Sequence, residues 1–116
     1  MAEYTRRGFD GKERTVTGET ILEETLRYKF AEYPLTVEEI ETIINDLKKE
    51  GVSAEVGQVI REVLKDKVRR HGDYREIESL VAFCEKHGIS YDADFSAEEV
   101  EKLNKIFRDY KDRMSF

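Results

Sequence analysis

Four stretches of this chain carry apolar residues at three- and four-residue intervals, and that spacing restricts its fold more than any other feature. In 37–50 the set is Val37, Ile40, Ile43, Ile44 and Leu47. In 54–71 it is Val56, Val59, Ile60, Val63, Leu64 and Val68. In 74–87 Ile77, Leu80, Val81 and Cys84 form a stripe. In 97–113 Val100, Leu103, Ile106, Phe107 and Tyr110 form another, with Met114 just beyond it. A helix turns once every 3.6 residues, so each set lines one side of a rod, and such rods must bury those sides against one another.

The punctuation agrees. A Ser, Thr or Asp followed three residues later by Glu occurs at Thr20/Glu23, Thr36/Glu39, Asp73/Glu76 and Ser96/Glu99. In that spacing the first side chain accepts from an orphan amide of the opening turn, and the glutamate reaches back to the cap's own amide. Gly51, Gly72 and Gly88 follow last turns rich in Lys, Arg or His, where a left-handed residue closes a helix. The densest basic cluster, KVRRHGDYRE over 67–76, therefore reads as the end of one helix and the start of the next.

The N-terminal third has two readings. TILEETLRYKFAEY places Ile21, Leu22, Leu26, Phe30 and Tyr33 on one side of a helix. Its end, LRYKF, also alternates as a strand, with Leu26, Tyr28 and Phe30 against Arg27 and Lys29. The Thr20/Glu23 signal favours the helix. Upstream, GFDGKERTV holds an Asp-Gly pair suited to turning a short hairpin. The fold predicted for this 116-residue chain is all-α. It is a compact bundle of about five short helices over 19–116, one helical domain, with 1–18 as an N-terminal arm or small hairpin. GISYDADFS links the last two helices, with Ile89, Tyr91 and Phe95 tucked beneath them.

Charged residues make up 40 % of the chain and its net charge is −6, which works against whole-surface binding to nucleic acid. The charge comes in blocks: acidic over 19–58, basic over 59–75, acidic again over 76–104. A single cysteine suits a reducing compartment, and no apolar run approaches a membrane span. With no signal-peptide pattern at the N-terminus, the expected location is cytoplasmic.

No motif of turnover emerges. Cys84 lies on an apolar stripe, and His87 three residues on falls where a cation favours a helix end, so a buried structural thiol is the better reading than a Cys–His pair. His71 and His87 have no second cysteine or HxxxH partner for zinc. Asp92 and Asp94 open like a calcium loop, but Ala97 stands where its glycine belongs and Leu103 where its terminal acid belongs. Phosphate-cradling glycine patterns are absent. No catalytic residue, cofactor or metal is expected.

Two classes of binding remain. Acidic helix faces at Glu38, Glu41, Glu98 and Glu101 can meet a basic partner. Tyr4, Phe9 and Phe116 have no periodic reason to be buried and lie near arginines, Arg6 and Arg7 among them, as interface anchors do. These features point to a non-enzymatic regulatory or inhibitory protein that docks on another protein, of the type that viruses and mobile elements direct at host machinery. The alternative starts from LRYKFAEYPLTVEEIETIINDLKKEGVSAEVGQVIREVLKDKVRR, a strand, a helix, EGVS, and a second helix containing VIREVL. This stretch, over 26–71, resembles a ribbon-helix-helix module. The resemblance implies a dimeric DNA-binding regulator whose paired strands present Arg27 and Lys29 to the major groove, with Arg69 and Arg70 as further nucleic-acid contacts. A third class, a subunit of a larger assembly, predicts a large exposed apolar patch.

Overall fold

The computed structural model describes residues 3–8, 10–70 and 72–114. The elements run β1 (Glu3–Arg7), β2 (Glu13–Thr17), α1 (Gly18–Glu32), α2 (Val37–Lys49), α3 (Val56–Arg69), α4 (Tyr74–Lys86) and α5 (Ala97–Met114). The four periodic stretches are the last four helices, with ends close to the expected ones. Thr36 with Glu39, and Ser96 with Glu99, form the reciprocal caps their spacing predicts. Asp73 caps α4 through the Arg75 amide, but Glu76 turns away to Lys67 and leaves that box half made.

Helix ends follow the glycines at two of three places. Gly51 and Gly88 take φ of 88° and 68°, and the amides just beyond them, of Val52 and Ile89, reach back to the Leu47 and Cys84 carbonyls. Gly72 is a correction. It sits one place further along, with its own amide on the Lys67 carbonyl.

The helical reading of 21–33 holds, and the burial shows why. Leu22, Leu26 and Phe30 are buried, whereas Tyr28, which a strand would place beside Leu26 and Phe30, is 66 % exposed. Two details differ from expectation. The N-cap is Thr17, not Thr20: the Thr17 hydroxyl accepts from the Thr20 amide, and Glu23 pairs with Arg27 instead. Tyr33 is 48 % exposed, because the chain turns extended there ahead of Pro34 and leaves the helical face. The strand at 26–31 that a ribbon-helix-helix module requires is thus the second half of α1.

α3 lies at the centre, packed by α1, α4 and α5, and α2 lies across α1 and α4. Ile60, Val63, Leu64 and Val68 of α3 meet Leu26, Ile40, Ile77, Leu80 and Phe83 with almost no exposed surface. Each such side chain contributes about 1.5–3 kcal/mol of burial. Ile89, Tyr91 and Phe95 pack against this core as expected. Tyr74 stacks on Tyr110 and meets Phe107 edge-on, which ties the start of α4 to α5.

The N-terminal segment is a hairpin, so the molecule is mostly helical but not all-α. β1 and β2 pair antiparallel in an unbroken register, Tyr4 opposite Val16 and Arg6 opposite Arg14. Gly11, at φ 76°, turns the loop, and the Asp10 carboxylate accepts from the Lys12 amide and pairs with Arg14. An isolated two-stranded ribbon is marginal in water. This one is clamped. The Tyr4 hydroxyl donates to the Gly51 carbonyl at 2.9 Å and accepts from the Ser53 amide at 2.7 Å, and Arg6 pairs with Glu24 of α1. β2 runs into α1 without a loop, and at Gly18 the backbones of α1 and the α2–α3 connection touch. A Cβ built there would lie 1.7 Å from the Ser53 carbonyl oxygen. The molecule is elongated, 54 × 27 × 27 Å.

Candidate protein-docking groove

On α2, Ile40, Ile44 and Leu47 turn inward, and the next row round the helix is Glu41, Asn45 and Lys48. On α4, Phe83 and His87 are one turn apart. The Schellman turn at Gly88 brings Ile89 back beside them, and Val56 opens α3 opposite. These residues line a surface groove of about 320 Å³. Ile44, Val56, Phe83 and Ile89 form an apolar floor. A narrow cleft lined by Leu22, Leu47, Val52 and Ala54 continues it toward the hairpin side of the α2–α3 connection.

The polar rim is ordered. Glu41 Oε1 accepts from Lys86 Nζ at 3.0 Å, and Glu41 Oε2 lies 2.8 Å from His87 Nε2. The His87 ring stacks on Phe83 at 4.3 Å. The Lys86 hydrogen bond, followed by that of His87, holds the Glu41 carboxyl below its usual range. Further along the same row of α2 stand Asn45 and Lys48. α3 opens beside them with no side-chain cap and no acid in its first turn, although the amide of its N-cap residue, Glu55, donates to Glu19 of α1 at 2.8 Å. The rim thus carries one acid held between two bases at one end and a single cation, Lys48, at the other.

The other residues singled out from sequence are dispersed or engaged. Glu38, Glu98 and Glu101 are exposed, but α2 and α5 are not packed neighbours, so the two acidic pairs do not form one face. Tyr4 and Arg6 hold the hairpin to the bundle rather than standing out as anchors. Arg7 is exposed, opposite Glu13 in the ladder. Phe9 and Phe116 lie outside the described residues.

The basic cluster is neutralised from within. Lys67 pairs with Glu76 at 2.7 Å above the Phe30 ring, Arg69 with Glu99 at 2.7 Å, Arg70 with Asp66 and Arg75 with Asp73. Lys102 donates to the Arg69 carbonyl. Arg27 bridges Glu23 and Asp66, and Lys29 is half-buried in the last turn of α1. Burial pushes the Asp66 carboxyl up, but the bond and charge of Arg27, with Arg70 and Lys67 behind it, outweigh that and hold it below its ordinary value. Cys84 is fully buried, and burial pushes its thiol up to about 11, the reverse of what a nucleophile needs. Among the described residues no group of three or more His, Cys, Asp or Glu is placed to hold a metal, and no helix is long and apolar enough to cross a membrane.

Sequence reasoning missed Asn45, Lys48 and Phe83 as groove residues. Phe83 carried a signal, since it follows Leu80 by three residues and precedes His87 by four. Asn45 and Lys48 carried none beyond lying beside the apolar row of α2. Comparison of the chain with protein-family models, with curated proteins and with solved structures finds no match.

Proposed function

We propose that this chain is a small cytoplasmic regulatory or inhibitory protein that acts without catalysis, by docking on another protein. The observation that carries this reading is the groove between α2, α3 and α4. Its apolar floor shows part-exposed Val56 and Ile89 over buried Ile44 and Phe83, while Glu41, Lys86 and His87 beside it are tied to one another. Its dimensions suit a short segment of a partner chain rather than a whole domain face. An apolar side chain would sit against Val56 and Ile89, and an acidic neighbour would meet Lys48 beside the uncapped start of α3. The ribbon-helix-helix alternative loses its main support, because Arg27 and Lys29 ride on a helix and Arg27, Arg69 and Arg70 each hold an acid.

The test compares wild type with the double variant Asn45→Arg/Lys48→Glu, both positions being exposed. A partner recovered from host extract with wild type, retained after nuclease and lost with the variant, is the expected result. Equal recovery by the variant overturns the groove. Recovery that vanishes with nuclease, together with duplex binding that weakens steeply with salt, returns the DNA-binding reading.

A further inference from the structure

The outer edge of β1 is paired with no strand among the described residues. The Gly8 amide bonds to the Lys12 carbonyl, which makes 8 and 12 a hydrogen-bonded pair of the ribbon. Antiparallel ladders alternate, so Arg6 with Arg14 and Tyr4 with Val16 are the inward bonded pairs. The backbone N–H and C=O of Glu3, Thr5 and Arg7 then point away from β2. Among the described residues no backbone group of another element reaches them. Tyr4 and Arg6 reach the bundle through their side chains, whereas Glu3, Thr5 and Arg7 are exposed, so this edge lies open to solvent.

We propose that two chains associate through this edge, β1 against β1, antiparallel and centred on Thr5, into a four-stranded sheet with two-fold symmetry. The sequence of the strand, EYTRR, is complementary to its own reverse. In that register Glu3 stands opposite Arg7 of the second copy, Tyr4 opposite Arg6, and Thr5 opposite Thr5. The residues whose backbone groups point outward meet residues of the same kind, so every pair at 3, 5 and 7 exchanges both hydrogen bonds. Sliding the strands by two residues in either direction loses both Glu–Arg pairs, so charge selects the register.

The exposed face of the sheet reads Glu13, Arg7, then Glu3 of the second copy, alternating in sign across the new seam. Edge strands are usually guarded by charge, proline or a bulge. Here the register is unbroken, β1 has no proline, and its guarding charges attract their own copies. Isologous pairing of this kind closes at two chains and leaves no propagating edge at β1. A ladder of five-residue strands is small, in the class of weak, concentration-dependent association.

The test is sedimentation of the full chain, with any tag removed, from about 1 μM to about 1 mM. Wild type is expected to pass from monomer to dimer within that range. Thr5→Pro deletes an amide that points out of the ribbon and spares its ladder with β2. Glu3→Arg leaves the backbone unchanged and sets Arg against Arg. Each is expected to weaken the dimer roughly tenfold or more. An equimolar mixture of Glu3→Arg and Arg7→Glu chains is expected to form a heterodimer, since the opposed charges are then restored at both pairs. Amide exchange of Tyr4 and Arg6 verifies that the hairpin survives in each variant. A wild type that stays monomeric throughout overturns the proposal, whatever foreign strand the edge accepts. So does a Thr5→Pro or Glu3→Arg chain with an intact hairpin that dimerises like wild type. The Asn45→Arg/Lys48→Glu variant is expected to dimerise normally, which separates this edge from the groove.

Discussion

Gly18→Ala is expected to be among the most damaging single-methyl additions the molecule can receive. The new Cβ would lie 1.7 Å from the Ser53 carbonyl oxygen and 2.8 Å from its carbonyl carbon. Both are backbone atoms, so no side chain can rotate aside. Relief requires the α2–α3 connection or the start of α1 to move by more than about 1 Å, toward ordinary contact distances. That connection is pinned. The Ser53 amide donates to the Tyr4 hydroxyl, the Gly51 carbonyl accepts from it, and the Glu55 amide donates to Glu19.

Overpacking costs about 1–3 kcal/mol, and each hydrogen bond stretched in the shift about 0.5–1.5 kcal/mol more. Alanine's advantage over glycine in a helix returns at most about 1 kcal/mol. The net expectation is a loss of about 2–4 kcal/mol, or roughly 10–20 °C in Tm for a domain of this size. Urea and thermal unfolding followed by helical circular dichroism measure it. Gly57→Ala supplies the contrast. Its Cβ would meet Arg61 and Ile89 at 3.7 Å, ordinary contact, within α3, so that change is expected to stabilise by up to about 0.5–1 kcal/mol. If Gly18→Ala falls within about 0.5 kcal/mol of wild type, or both alanines shift stability the same way, the close-approach argument is wrong.

Tyr4→Phe removes one hydroxyl that serves two backbone partners. It is expected to cost about 1–2 kcal/mol and to speed amide exchange in the hairpin while α3 and α4 stay protected. Cys84 is expected to resist thiol reagents in the folded protein and to react at the rate of global unfolding; fast labelling would contradict its burial. Because the folded thiol is raised from 9.0 to about 11, the unfolded chain loses its proton first, and stability is expected to fall as pH climbs through that interval; Cys84→Ala should lessen the fall, and Tyr74 and Tyr91, which burial also raises, should carry the rest. Asp66, Asp73 and Glu99 are held below their ordinary values in the fold, so the unfolded chain binds more protons in acid. Stability is therefore expected to be full above the ordinary carboxylate range and to drop as pH falls below it, with Asp66→Asn flattening the acid limb of a urea midpoint-versus-pH curve.

What was legible in the sequence is what neighbours along the chain decide. The helices α2 to α5 announce themselves because their apolar period, caps and closing glycines agree within each segment. The Asp66–Arg70 and Asp73–Arg75 pairs are local and could be anticipated; Arg69–Glu99 joins residues 30 apart and could not. The cap of α1 was misplaced by one turn because Thr17 and Thr20 both suit the role. Which one serves depends on β2 running straight into the helix, a tertiary fact. Tyr4 looked like a spare aromatic because its partners, Gly51 and Ser53, are brought near only when the ribbon folds back on the bundle. The groove is harder still. Its floor needs α2, the start of α3 and the end of α4 to converge, and no stretch of one element encodes a gap between three.

The joint between ribbon and bundle has a mechanical consequence. With no slack between Thr17 and Gly18, the hairpin cannot swivel like a tethered arm; it is an outrigger rooted in the first turn of α1. Its two footholds, a phenol seated on Gly51 and Ser53 and a bare Cα pressed on Ser53, bear on the same short connection whose Val52 and Ala54 wall the cleft below the groove. Any torque on the strands is delivered to that wall.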